Sequence, residues 1–362
     1  MTELLVGTRK GLFVLEGEPG APFAVTGRAF AGEPVEYAMR DPRSGRVLAS
    51  VTSPFYGPKL HYTDDLGGEW QQAAGVALPE GGDAALERIW TIVPGAADGT
   101  VYAGGDPGVL FESRDGGASF SLNRALYEHP TREDWQPGAG GLCLHSIATW
   151  PGDPDRLAIG ISAAGVWLTD DGGATWRRGV EGLVARYLPE DAPPEMIPLC
   201  VHRIHRAAKR PERLFMQFHG GVYRSDDAGE SWTAIADGLP SDFGFPLAVD
   251  PADPDSAYVI PLAADIDRVP PEGRLRVYET RDAGAGWTPR GDGLPQENAY
   301  LTILREAFDW TGEEETLELY FGATSGAVFG SGDAGGSWSQ VAANLPPVLS
   351  VFATGARSAA RP

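Results

Sequence analysis

TDDGGATW, residues 169–176, is one of six copies of a single pattern, Ser/Thr-x-Asp-x-Gly-x-x-aromatic. The others are TDDLGGEW at 63–70, SRDGGASF at 113–120, SDDAGESW at 225–232, TRDAGAGW at 280–287 and SGDAGGSW at 331–338. Their starts lie 50, 56, 56, 55 and 51 residues apart. A period of that length marks a modular ring or solenoid. The hydroxyl and carboxylate of each copy can bond the backbone of a tight turn, and glycine supplies the positive φ such turns need. The terminal aromatic drops into the core. Five of the chain's 10 tryptophans end a motif, and Phe120 replaces one in the remaining copy.

Working outward, an apolar strand precedes each motif, as in GVWLT at 165–169, GVYRS at 221–225 and AVFGS at 327–331. A second strand lies before that one across a glycine-rich turn, so the motif is a hairpin turn. The fourth unit shows the full pattern. Strand a covers about 142–149, the turn PGDPDR follows, strand b covers about 157–162, strand c 165–169, and strand d starts after the motif. Tandem four-stranded antiparallel units are propeller blades.

The N-terminal run LLVGTRKGLFVL at 4–15 matches strands b and c but lacks the motif, and VLSVFAT at 348–354 is a strand without a later partner. The expectation is an all-β, seven-bladed β-propeller of four-stranded blades, closed by the C-terminal strand joining the N-terminal blade. Closure removes sheet edges that would aggregate. The units are 4–30 plus 348–355, 34–78, 84–126, 141–185, 197–239, 243–294 and 299–345, in one domain spanning 1–362.

A net charge of −21 over 362 residues argues against nucleic acid and acidic membranes as partners. No apolar run approaches the roughly 20 residues of a membrane span. MTELLVGTRK reads as a strand rather than a signal peptide. Two cysteines do not make a disulfide framework. A soluble cytoplasmic protein is expected.

The six motifs resemble the Asp-box, or bacterial neuraminidase repeat. It is found in sialidases, xyloglucanase-type glycosidases, sortilin-type receptors and photosystem II assembly-factor-like proteins. Over nearly its whole length the chain is most similar to uncharacterised bacterial sialidase-like, glycosyl-hydrolase-like propellers. That resemblance implies the fold, with function carried by sites grafted on it. Sialidases carry an arginine triad and a Phe/Tyr-Arg-Ile-Pro stretch before the first Asp-box. Here EYAMRDP at 36–42 occupies that region, and no arginine triad is assignable.

In a propeller the c–d turns lie on the bottom face, so Asp65, Asp115, Asp171, Asp227, Asp282 and Asp333 read as scaffold. The long connections 121–141, 180–198, 262–274 and 53–59, with the shorter 239–245 and 294–299, lie on top, where function is expected. Four constellations follow.

LCLH at 142–145 aligns with LCVH at 199–202, and in a strand i and i+2 share a face. Cys143, His145, Cys200 and His202 are therefore candidate ligands for a transition metal such as zinc, with His219 close enough to add another; the plainer reading is satisfied core residues. His129, Arg132, Trp135 and Gln136 enrich the longest top loop and are candidate pocket residues. Glu36, Glu87, Asp242 and Glu297 are candidate catalytic carboxylates. Glycoside hydrolysis needs two, about 5–5.5 Å or about 6.5–9.5 Å apart. Arg88, Arg305 and Tyr300 complete the candidate ligand-binding set.

The expected function is a sialidase-like propeller binding a small polar or glycan-like ligand in a top-face central pocket, with hydrolysis left open. The alternatives are a non-catalytic protein-binding or assembly-factor-like scaffold, and a metal-dependent enzyme.

Overall fold

The computed structural model describes residues 1–81, 84–138, 140–185, 199–263, 266–312 and 317–355. Strands dominate, and no described helix is long and apolar enough to cross a membrane. Among the described residues the one α-helix is Arg124–Tyr127, capped by Asn123, whose side chain accepts from the Leu126 N–H at 2.9 Å.

Five sheets are four-stranded antiparallel meanders in chain order. One of them runs Leu144–Trp150, Asp153–Ile161, Gly165–Thr169, Arg177–Arg178. A sixth sheet has eight strands and divides at a single parallel bridge, Glu306 to Ser350, into two four-stranded halves. One half is completed by the C-terminal strand Val348–Gly355, paired antiparallel with Thr2–Thr8 from Thr2–Gly355 to Thr8–Val348. The closing strand thus lies where the orphan apolar run required it.

Among the described residues, the innermost strands are Val35–Arg40, Arg88–Pro94, Leu144–Trp150, Val201–Arg206, Gly244–Val249, Ile303–Thr311 and Val348–Gly355. Each packs on the next, and the last packs on the first, which closes a ring around a central channel. The chain is a β-propeller. Apolar residues fill the wedges between neighbouring sheets. Leu5 and Val14, for example, pack in one cluster with Tyr37 and Leu48 of the next sheet and Phe111 of the sheet beyond. All are nearly inaccessible, and burial of that kind contributes about 1.5–3 kcal/mol per large side chain.

Five motif turns share one bond set. In the turn starting at Thr169, the buried hydroxyl donates to Asp171 Oδ1 at 2.8 Å and accepts from the Gly173 N–H at 2.9 Å. Asp171 accepts from the Thr175 hydroxyl and N–H, and these bonds hold its carboxyl down at about 2. The fourth and fifth motif positions both take positive φ, at Gly172 and Gly173 or at Ala228 and Gly229.

The turn at 63–70 departs from this pattern. Leu66 occupies the fourth position and does not adopt positive φ, because a bulky side chain is strained there. The Thr63 hydroxyl instead donates toward the carbonyls of Asp65 and Glu69, and Asp65 accepts from the Gly67 N–H. The six copies, alike in sequence pattern, are therefore not alike in geometry.

Candidate functional site

Every inner strand breaks its register near its upper end. Pairing skips Glu36, Trp90, His145 and His202, the pair Phe245–Pro246, the run from Leu304 to Ala307, and Leu349. A bulge inserts residues the partner strand cannot pair and re-aims their side chains. Here the bulges form a belt around the upper channel. Strict alternation does not hold across them, and of the two expected same-face pairs only Cys200 with His202 comes together.

Part of the belt is structural. His145 Nε2 bonds the Val201 carbonyl of the next strand at 2.8 Å, and its Nδ1 bonds Ser146 Oγ at 3.1 Å. His202 Nδ1 bonds the Gly244 carbonyl of the strand beyond at 2.6 Å. Both imidazoles are buried, and burial, with Arg305 adding to it, pushes their pKa well below the ordinary value. Each works as a strut between inner strands.

The expected four-ligand metal set does not assemble. Cys143 Sγ lies 3.3 Å from Asp106 Oδ2 and 3.1 Å from the Gly140 carbonyl, so the thiol faces a carboxylate rather than a shared ion. Burial first, then Asp106, raises its pKa. His145 has both ring nitrogens engaged. The cluster that does form is Cys200, His202 and His219, whose ligand atoms all lie within 4.8 Å of one another.

The candidate loop residues are used by the loop itself. Arg132 donates to the carbonyls of Pro107 and Gly108 and stacks on Trp135 at 4.8 Å. His129 bonds Thr131 and packs its ring on Trp167 at 4.6 Å, while Gln136 is exposed and reaches only the Glu133 carbonyl. Arg132, Trp135 and His129 therefore close the top of one sheet. Among the carboxylates, Glu87 and Glu297 are exposed, Asp242 is half-buried and Glu36 sits in the belt. Tyr300 is exposed on the rim.

Arg88 and Arg305 behave differently. Both guanidinium groups stand over the Trp90 ring, at 4.8 and 5.8 Å, and Arg305 also lies 4.7 Å from the Phe245 ring centre. Arg88 Nε, Arg305 Nε and Trp90 Nε1 are all buried without a hydrogen-bond partner. Three neighbouring donors thus lack an acceptor among the described residues. Asp106, raised by burial and held down in part by Cys143 and Arg88, is an acid close enough to feel Arg88.

Two features escaped the sequence. A cavity of about 410 Å³ opens at the opposite end of the channel, where the a–b turns lie, and all the inner strands line it. Its walls include Tyr37, Ile147, Trp310 and Phe352, with Arg203 and Asp309. Several of its charges are compensated from within, since Arg203 pairs with Glu306 at 3.1 Å, Arg40 with Glu3 at 2.8 Å, and Asp309 accepts from the Ala353 N–H, whereas Arg206 on the same wall keeps a buried Nε without a partner among the described residues. The lower cavity thus holds one unsatisfied donor, at Arg206, against three at the upper end. The second feature is Glu306, almost inaccessible, whose carboxyl burial pushes up to about 7 against the pull of Arg203 and Arg305.

Comparison with solved structures agrees with the ring. The chain is similar to an ancestral GH74 enzyme, with TM-score 0.56, 16% identity, and coverage of 94% of this chain and 39% of that one. It is also similar to the GH74 enzyme of Niastella koreensis, with TM-score 0.55, 14% identity, and coverage of 93% and 46%. YCF48 bound to D1 peptide is matched with TM-score 0.39, 16% identity, and coverage of 70% and 80%. The chain spans less than half the length of the two GH74 enzymes. At such identities the likeness is one of fold. No protein-family model matches the sequence, and no curated protein sequence matches it.

Proposed function

We propose that this seven-bladed, Asp-box propeller binds a small, polar, glycan-like ligand carrying an anionic group at the upper end of its channel. The observation that carries the reading is the convergence of Arg88 Nε, Arg305 Nε and Trp90 Nε1, buried and without acceptors. A buried donor without a partner costs about 1–3 kcal/mol, so a persistent group of three calls for an acceptor-rich occupant. The Trp90 and Phe245 rings, over which the arginines stand, give the site apolar walls. Two arginines in a chain of net charge −21 would supply a local positive potential. If the site is hydrolytic, Asp106 is its acid, since burial already raises its pKa.

The test is thermal denaturation with glucuronate, and with glucose as the neutral control. Glucuronate should raise the melting temperature and glucose should not. Arg305→Gln or Arg88→Gln should remove the shift. Equal stabilisation by glucose, or a shift that survives both substitutions, refutes the reading.

A second reading is a protein-binding surface on the same rim. Its support is that Phe55, Tyr56, Val184, Ile266 and Tyr300, all strongly exposed, lie on upper connections. Large apolar residues exposed on one face are the raw material of interaction surfaces.

A further inference from the structure

Cys200, His202 and His219 come from three different local features. Cys200 leads into the inner strand, His202 is that strand's bulge residue, and His219 follows the neighbouring strand Leu214–Phe218. The His219 N–H donates to the Cys200 carbonyl at 3.0 Å, which holds the two side by side. The bulge then aims His202 at both, with its ring centre 5.4 Å from that of His219.

The surroundings of these groups are those of ligands. A carbonyl can only accept, so the bond to Gly244 places the His202 proton on Nδ1 and leaves Nε2 with a lone pair. Metal-ligating histidines are oriented in this way, by a carbonyl or carboxylate on the other nitrogen. Cys200 takes a backbone hydrogen bond from Ala163 of the neighbouring sheet, a non-glycine residue held at φ 63°. Left-handed backbone at a non-glycine position is strained and collects at functional sites. Phe243 and Phe245 pack edge-on or tilted against His202 at 5.4 and 4.8 Å, and Phe243 against His219 at 5.2 Å, giving an apolar shell.

We propose that Cys200, His202 and His219 form a three-ligand transition-metal site of zinc type, with its fourth position open to the channel. One thiolate and two imidazoles are donors that zinc accepts, and copper shares the set. Tetrahedral bonds of about 2.0–2.3 Å put ligand atoms about 3.3–3.8 Å apart. The present spread of up to 4.8 Å closes with side-chain rotations of about 1 Å. Binding releases the thiol proton to solvent and forms one sulfur–metal and two nitrogen–metal bonds. Arg305, against the same Phe245 ring as His202, stands beside the open position. The site needs no anionic ligand, so it can hold if the reading of Arg88 and Arg305 fails.

The experiment strips purified full-length protein with a chelator and titrates it with Zn²⁺ and, separately, Co²⁺ as the spectroscopic probe. One ion per chain should bind. Cobalt should give a thiolate charge-transfer band in the near ultraviolet together with intense tetrahedral visible bands. Cys200→Ser should abolish the sulfur band, and His219→Gln should weaken metal affinity by at least about tenfold, in line with loss of a ligand. Cys143→Ser should change neither. Absence of a sulfur band in the unmodified protein overturns the proposal, and needs no variant to fold. Loss of the band in Cys143→Ser rather than Cys200→Ser overturns it as well.

Discussion

Glu306 pairs with Arg203, yet burial raises its carboxyl to about 7, so desolvation outweighs the ion pair. The groups facing it are Arg203 from one strand, Arg305 next to it in its own, Glu36 from another, and Ser350 across the bridge. Glu306→Gln keeps the shape and removes the charge. The folded-state pKa exceeds the unfolded one, so the contribution is fully present below the ordinary carboxyl range and is lost as pH rises through about 7. A shift of about 2.5 units corresponds to about 3 kcal/mol, at about 1.4 kcal/mol per unit. Roughly 2 kcal/mol of that falls between about pH 5.5 and pH 8.5, above the isoelectric region near 4.6. Urea melts of both proteins at several pH values cancel the other carboxylates in the difference. The substitution should grow more stabilising, relative to the parent, as pH rises. If it instead costs about 3–5 kcal/mol at about pH 8, as breaking a net-favourable buried pair would, the reasoning is refuted.

Thr169→Val keeps the shape of a buried side chain but removes the acceptor of the Gly173 N–H, so urea midpoints should report a loss of about 1–3 kcal/mol. Thr63→Val should cost less, because the turn at 63–70 lacks the matching glycine bond; equal losses would show that the two geometries do not differ energetically. Deleting everything after Pro346 removes the strand paired with Thr2–Thr8 and should yield aggregation or an unfolded chain by circular dichroism. A truncated protein that melts like the full-length chain would dismiss ring closure by that strand.

The ring was legible because each repeat must solve one problem, a tight c–d turn, with the same few residues. Serine or threonine, aspartate and glycine are fixed by hydrogen bonds and by positive φ, and these constraints survive any change elsewhere. Closure was legible for a related reason, since a strand without a partner has to find one. Leu66 was readable in principle as a departure, because a large side chain in a position that takes positive φ cannot make the same turn.

The site was only half legible. Arg88, Arg305, His202, His219 and Cys200 were picked from the sequence, but Cys143 and His145 were grouped with them by a two-residue periodicity that the bulges interrupt. Bulges are set by how strands crowd around a shared axis, and no local pattern announces them. Glu306 was hidden for the same reason, within the long bulge from Leu304 to Ala307. Composition marked His129, Arg132 and Trp135 as a rich loop. It could not say that Arg132 would be taken by the Pro107 and Gly108 carbonyls.

What distinguishes scaffold from function in the belt is the bonding capacity left over after the ring is built. His145 has two polar atoms and both bond the protein, so it retains nothing for a ligand. His202 occupies the aligned position in the next sheet and gives Nδ1 to the Gly244 carbonyl, with its imidazole beside Cys200 and His219. Trp90, at the corresponding bulge, has a single donor that nothing among the described residues accepts. A belt needed to hold neighbouring inner strands together therefore offers a different residual valence at each blade. The proposed sites rest on two such places, Trp90 with Arg88 and Arg305, and His202 beside Cys200 and His219.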